Sequence, residues 1–285
     1  MRIRRRAFLK GALVGLASGE ALATLAVAAG APQPPAAIRV GSCVVDLEQG
    51  QRAGLDGVEV RVGDPAEKLR IADPAVRQQY REQMTSTGLV ISSLMMGLLN
   101  SAPLASDPRA PAWLEQSIDA ARDLGARVIL VAFFGKGNLL DGLQLKQAEV
   151  QIVVQRVKAA APRAKDAGVI LALENTLSAR QNVEILERIG HDSVRVYYDV
   201  GNSTSRGYDV PEEIRFLKDR IASFHFKDRD HYLGEGGIRF EPIAAAIKAI
   251  AYRGWIVMET SNPSKDPVAD ARRNGTYIRR LFGLG

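Results

Sequence analysis

Four short apolar runs in this chain end on a residue able to bind a cation or move a proton. They read Leu171-Ala172-Leu173-Glu174, Val196-Tyr197-Tyr198-Asp199, Ser223-Phe224-His225 and Ile256-Val257-Met258-Glu259. Singly, each has an ordinary explanation, since a strand-end carboxylate often caps the next helix and a histidine in an apolar strand is usually a hydrogen-bonded core residue. Together they do not. Three carboxylates and one imidazole at a common rim repel one another or go unpaired unless a cation lies among them. Oxygen-rich ligation with a single histidine calls for one divalent ion of octahedral preference, Mn2+, Mg2+ or Co2+, rather than a thiolate zinc site. Cys43 is the lone cysteine, which rules out an intrachain disulfide and a cysteine-built cluster.

Glu174 and Glu259 also suit proton transfer. An α-hydroxy ketone held between them loses its α proton to one carboxylate, the ion acts as Lewis acid on the enediolate, and the other carboxylate returns a proton to the opposite face. That is epimerisation. Return to the neighbouring carbon is isomerisation, and expulsion of a β-oxygen is the elimination of a lyase or dehydratase. The residues leave the three open, and a noncatalytic metal-dependent carbohydrate-binding barrel is the rival from another class. Glu59 in Gly57-Val58-Glu59-Val60 is a candidate to enter the barrel and bind a substrate hydroxyl, or to form a buried pair. Lys227 and Arg229 share the side of His225 by alternation, so Lys227 contacts a substrate oxygen or forms a salt bridge to Glu174 or Glu259. Met95, Met96, Phe133 and Phe134 end two runs as an apolar wall or as core, and residues 234–237 read as a flexible glycine loop near the site.

The elements that must position these groups follow a βα alternation. Eight β-branched runs span Ile38 to Val45, Gly57 to Val62, Gly88 to Leu94, Ala126 to Phe133, Val169 to Glu174, Val194 to Asp199, Ile221 to Lys227 and Gly254 to Glu259. Helical patterns lie between them at Pro111 to Leu124, Gln144 to Ala167, Val210 to Arg220 and Pro242 to Ala251, and a further one at Val268 to Leu281 follows the last run. Eight parallel strands in about 250 residues close most naturally into a single-domain (β/α)8 TIM barrel, whose active site sits at the C-terminal strand ends. No G-x-G-x-x-G follows the first run, as a doubly wound dinucleotide-binding sheet would require.

The segments Leu173-Glu174-Asn175, Tyr198-Asp199-Val200-Gly201-Asn202, His225-Phe226-Lys227-Asp228, Leu233-Gly234-Glu235-Gly236 and Met258-Glu259-Thr260 resemble the sugar phosphate isomerase/epimerase group of xylose-isomerase-like barrels, which includes ketose 3-epimerases and inosose dehydratases. The resemblance runs from Ile38 to the C-terminus. It implies that Glu174, Asp199, His225 and Glu259 bind the metal and that the two glutamates move protons. Two positions depart from the pattern. Asn202 stands where epimerases commonly carry a second histidine, and His231 stands where an arginine often follows the strand-seven histidine; both are expected to face substrate.

The chain has 285 residues with 46% hydrophobic and 25% charged residues, the composition of an ordinary globular protein. Its net charge of +6 is concentrated at the front, where residues 1–28 carry five basic side chains against Glu20. The nearly neutral remainder gives no electrostatic case for nucleic acid. Arg5-Arg6-Ala7-Phe8-Leu9-Lys10 resembles a twin-arginine signal, with Ala26-Val27-Ala28 as cleavage site and a proline-rich linker at 29–37 ahead of the barrel at 38–285. This implies an exported protein, periplasmic or extracellular, that engages the twin-arginine machinery. Phosphorylated sugars are scarce there, so a neutral keto-sugar, cyclitol or glycoside is the expected ligand. Replacing both Arg5 and Arg6 by lysine is expected to leave precursor in the cytoplasm; unchanged maturation on an immunoblot contradicts the export reading.

Overall fold

Each of the eight β-branched runs forms a strand. In the computed structural model, which describes residues 38–284, they are β1 (Arg39–Ser42), β2 (Gly57–Arg61), β3 (Val90–Met96), β4 (Val128–Ala132), β5 (Ile170–Glu174), β6 (Val194–Asp199), β7 (Ile221–Phe226) and β8 (Trp255–Met258). All neighbours pair in parallel, and β1 pairs with both β2 and β8, so the sheet closes into a (β/α)8 barrel. The expected twin-arginine signal at 1–28 and the expected linker at 29–37 lie outside the described residues. No helix among those described is long and apolar enough to cross a membrane.

Strand alternation then sorts side chains into two layers. Ile129 and Val131, Leu171 and Leu173, Phe224 and Phe226, and Ile256 and Met258 point outward under the helices. Val128, Leu130 and Ala132, Ala172, Tyr197, and Trp255 and Val257 fill the interior. Two residues further along those inward faces come Glu174, Asp199 and Glu259, and β7 presents His225 beside Tyr197. The interior plug is thus the floor on which the polar cluster stands. Of the four candidates for an apolar wall, Met95 and Phe134 face this interior, whereas Met96 and Phe133 pack in the outer layer.

The helical layer comprises α1 (Leu47–Ala53), α2 (Pro74–Thr87), α3 (Ala110–Leu124), α4 (Gln147–Asp166), α5 (Ala179–Ile189), α6 (Val200–Ser205), α7 (Val210–Leu217), α8 (Phe240–Ala249) and α9 (Pro267–Phe282). Its starts are chemically marked, with capping boxes at Asp46/Gln49 and Ser178/Gln181. The first strand is shorter than its apolar run because the chain bends at 43–45 to reach the Asp46 cap. The helix expected from Gln144 begins at Gln147, since Gln144–Leu145 pairs with Leu140–Asp141 in a small antiparallel ribbon. At the other end of the layer, α7 stops at Leu217 and Lys218 turns to a φ of 51°, giving a 3-10 turn up to Arg220.

The glycine loop after β7 is tied down rather than flexible. Asp228 is fully buried, and its carboxylate accepts from the backbone N–H groups of Gly234 (3.2 Å), Gly236 (2.9 Å) and Ile238 (3.2 Å). Asn274 on α9 accepts from Leu233 N at 3.0 Å. A Cβ at Gly236 would lie 2.3 Å from Asp228 Oδ1, so the loop closes around the carboxylate only with glycine there. Asp228→Ala removes the acceptor of three loop N–H groups, that of Ile238 buried, and is expected to cost roughly 1–3 kcal/mol in urea unfolding. A loss below about 0.5 kcal/mol would show that the loop does not depend on this carboxylate.

Candidate metal centre

His225 stands at the centre of the mouth, fully buried, with its ring 4.5 Å from that of Tyr197. Its Nδ1 is 2.8 Å from Glu174 Oε1 and 3.6 Å from Glu259 Oε2. On the other edge of the ring, Nε2 is 3.1 Å from Glu59 Oε1. Asp199 joins through a cation: Lys227 Nζ lies 2.7 Å from Asp199 Oδ2 and 2.7 Å from Glu259 Oε2. Asp199 Oδ1 caps α6 by accepting from Asn202 N at 2.8 Å, and Oδ2 is buried with an ion-pair contact but no hydrogen bond. The structure therefore brings together the four residues singled out as metal ligands, and one donor atom from each falls within 4.8 Å of all the others.

Electrostatics show what this crowding costs. Burial, opposed by His225, lifts the Glu174 carboxyl to about 7. Burial also raises Asp199 against the pull of Lys227. His225 moves the other way from what burial dictates, because Glu174 and Glu59 outweigh desolvation and hold its proton well above the usual range. Glu259 is the most open member, its side chain 36% exposed, and although burial opposes it, His225 and Lys227 keep it below the ordinary carboxylate range. Three carboxylates thus share one imidazole and one ammonium as counter-charges, with Asp199 Oδ2 left short of a hydrogen bond. That donor set fits a divalent cation, which Glu174, Asp199, His225 and Glu259 would hold.

The remaining expected site residues fall in different places. Glu59 does not face the open mouth: it is 4% exposed, and Ser93 Oγ donates to its Oε2 at 2.6 Å while His225 takes Oε1. Of the two expectations for it, the geometry matches the buried pair. Lys227 makes the salt bridge to Glu259 and a second to Asp199, and no contact between it and Glu174 is found among the described residues. Asn202 is half-buried in the first turn of α6 and contributes its backbone N–H to Asp199. His231 is exposed on the turn after β7, where its N–H donates to Asp228 O. Arg229 leaves the strand face altogether with a φ of 53°. Two residues entered the site unannounced. Ser93 comes from β3 by a register shift between Val58 and Glu59, and Cys43 brings its thiol near Glu59 and His225.

Comparison with known proteins agrees with the barrel fold. Residues 47–281 match the family model described as xylose isomerase-like TIM barrel. The Escherichia coli K12 protein SgbU, whose assignment as an L-ribulose-5-phosphate 3-epimerase is provisional, is 29% identical over 244 residues, covering 76% of this chain and 83% of that protein. A D-psicose 3-epimerase crystallised with D-fructose superposes with a TM-score of 0.72 at 18% identity, over 86% of this chain and 99% of the other. A xylose isomerase-like barrel from Mycobacterium smegmatis in complex with magnesium gives 0.66 at 20%, over 84% and 88%. With its closed eight-strand barrel and a family match that spans most of its length, the chain belongs to the xylose isomerase-like TIM-barrel family.

Proposed function

We propose that the protein is a divalent-metal-dependent sugar epimerase that works through an enediolate. The observation that carries this is the convergence of Glu174 and Glu259, from strands three apart on the ring, on the same imidazole nitrogen. Two carboxylates delivered from different arcs of the mouth are what a proton relay across a planar enediolate needs. An ion held by Glu174, Asp199, His225 and Glu259 supplies positive charge that lowers the cost of negative charge on the ketose oxygens. Lys227, whose Nζ lies 2.7 Å from both Asp199 and Glu259, is placed to donate to a substrate oxygen. Glu59 holds the far edge of His225, so that Nδ1 stays directed at the other three ligands.

The relatives support a sugar substrate and a change of configuration, since SgbU carries the name of a ribulose-phosphate 3-epimerase and the psicose 3-epimerase was crystallised with a free ketose. Those names span charged and uncharged sugars. The neutral keto-sugar, cyclitol or glycoside expected from the sequence is therefore one of two substrate classes. Incubating the Mn2+-loaded protein in D2O with free and phosphorylated ketoses tests the reaction. Deuterium should appear at the carbon next to the carbonyl together with the epimer. A protein that holds the ion and exchanges no deuterium into any ketose is not an epimerase, and release of an unsaturated sugar would make it a lyase.

A further inference from the structure

The mouth of the barrel is electrically divided. Glu174, Asp199 and Glu259 lie on β5, β6 and just beyond β8, while the opposite arc at β2 and β3 opens into a cavity of about 510 Å3 lined by Arg61, Lys68 and Arg70 together with Met95. Arg61 follows Glu59 by two residues and pairs in register with Met95, as Glu59 pairs with Ser93. Alternation places it on the same side of β2 as Glu59, about 7 Å further toward solvent. Met95, which lines the cavity, also belongs to the inner apolar cluster with Phe134 and Cys43, so the cavity borders the interior plug on the β2–β3 side of the mouth.

The three cations are held in reserve. Several arginines of the barrel are held in ion pairs, Arg77 and Arg81 by Asp123, Arg163 by Asp119, Arg279 by Asp56 and Arg273 by Glu235. Arg61, Lys68 and Arg70 are exposed and form no ion pair among the described residues. Asp64 is the acid among the lining residues, which leaves the cations in excess. The loop that carries Lys68 and Arg70 is nonetheless fixed: Val62 N donates to Met95 O at 3.1 Å, Ile71 N to Val62 O at 3.0 Å and Leu69 N to Gln116 Oε1 at 2.8 Å. A cationic pocket on a fixed loop, at the same barrel mouth as the metal centre and two residues beyond Glu59 on β2, suits a ligand with a hydroxy-ketone at one end and an oxyanion at the other.

Resting on the epimerase reading for which end reacts, we infer that this pocket is an anion subsite and that the substrate is a keto-sugar bearing a terminal phosphate or carboxylate. The cationic arc attracts that terminal group, whereas the three carboxylates are offset by the ion and by Lys227, so the charge pattern also sets which way round the sugar enters. Exposed charges act with a range of about 8 Å at physiological salt, enough for the cluster to steer an approaching anion.

Calorimetric titration of the Mn2+-loaded full chain with D-fructose, D-fructose 6-phosphate and D-fructuronate tests the subsite without requiring turnover. At least one anionic sugar should bind at least tenfold more tightly than fructose, and raising the salt should narrow the gap. The ranking of phosphate over carboxylate, or the reverse, identifies the terminal group. In Arg61→Ala/Arg70→Ala the preference for the anion should fall about tenfold. Equal affinities in the wild type, no binding by any of the three, or a preference that survives the double substitution would overturn the subsite. Deuterium exchange measured on the same samples reports on the epimerase reading separately: anion-selective binding without exchange removes the reaction and keeps the pocket, and exchange without anion preference does the reverse.

Discussion

Glu174→Gln and Glu259→Gln are each expected to lower net epimerisation by about 10²–10⁴-fold, the range over which a positioned acid or base contributes. Glutamine keeps the size and one ligand oxygen but cannot take up the proton, so metal content, measured in the same preparations, should be largely retained. The two variants should differ in a second readout. Glu259 is 36% exposed and Glu174 only 6%, so a proton taken by Glu259 meets water far more readily. Glu174→Gln, in which Glu259 survives, should wash solvent deuterium into one face of the substrate. Glu259→Gln, in which the shielded Glu174 survives, should return much of the proton it removes. Fully metal-loaded variants with wild-type turnover would show that these glutamates have no part in the chemistry.

The metal centre supplies the second large effect. His225→Ala is expected to weaken Mn2+ binding by at least about 100-fold, and Glu59→Gln by about tenfold, because one removes a donor and the other loosens the carboxylate that orients it. Rescue by Glu59→Asp, partial but measurable, would separate orientation from simple packing. Protons compete for the same atoms. With Glu174 lifted to about 7 by burial and His225 held above its usual range against burial by Glu174 and Glu59, the metal-free cluster carries protons that the ion must displace. Affinity should therefore rise with pH, by up to about tenfold per unit for each proton released.

Stability of the metal-free protein should move in the opposite direction. Glu174 titrates at 4.5 in its ordinary state and at about 7 when folded, so between these values the folded form holds the extra proton and is destabilised as pH rises. His225 adds the same sign, its contribution being complete below its unfolded value and lost as pH climbs through the folded one. Denaturation midpoints with and without Mn2+ should diverge as the pH is raised. Parallel curves would contradict metal capture by this cluster.

Much of this site was legible because a barrel strand alternates strictly. Once Ala172, Tyr197 and Val257 are read as interior, Glu174, Asp199 and Glu259 must follow them on the same face two residues later, and no tertiary information is needed. Partners across the ring were harder. Lys227 was expected to meet Glu174 or Glu259, yet its reach to Asp199 depends on the stagger between β6 and β7, whose register shifts between Val196 and Tyr197. Glu59 is visible as an acid on an inward face, but its depth follows from pairing with Ser93 past an irregularity in β2. Ser93 was hidden because Val58 pairs with Ile91 and Glu59 with Ser93, so β3 carries one extra residue there and alternation counted from the outward Ile91 places Ser93 outward as well. The knot around Asp228 was hidden for another reason: its donors return six to ten residues later, and glycine-rich segments look mobile until the acceptor they enclose is known.

Asp199 divides its two oxygens between jobs that belong to different levels of the molecule. Oδ1 secures the first turn of the six-residue helix α6, and Oδ2 faces the cluster. Gly201 in that turn leaves room for the stem of Lys227, since a Cβ there would lie 2.5 Å from Lys227 Cγ. If the cluster captures a cation, that capture and the start of a helix are thereby mechanically joined. A glutamate at 199, one methylene longer, cannot serve both without shifting one of them, and an alanine at 201 would press the ammonium toward the ion. On the proposed metal-binding reading, the tolerance of this short helix to sequence change would be set by coordination chemistry at its N-terminus, and variation along α6 would be read by the metal before it was felt by the fold.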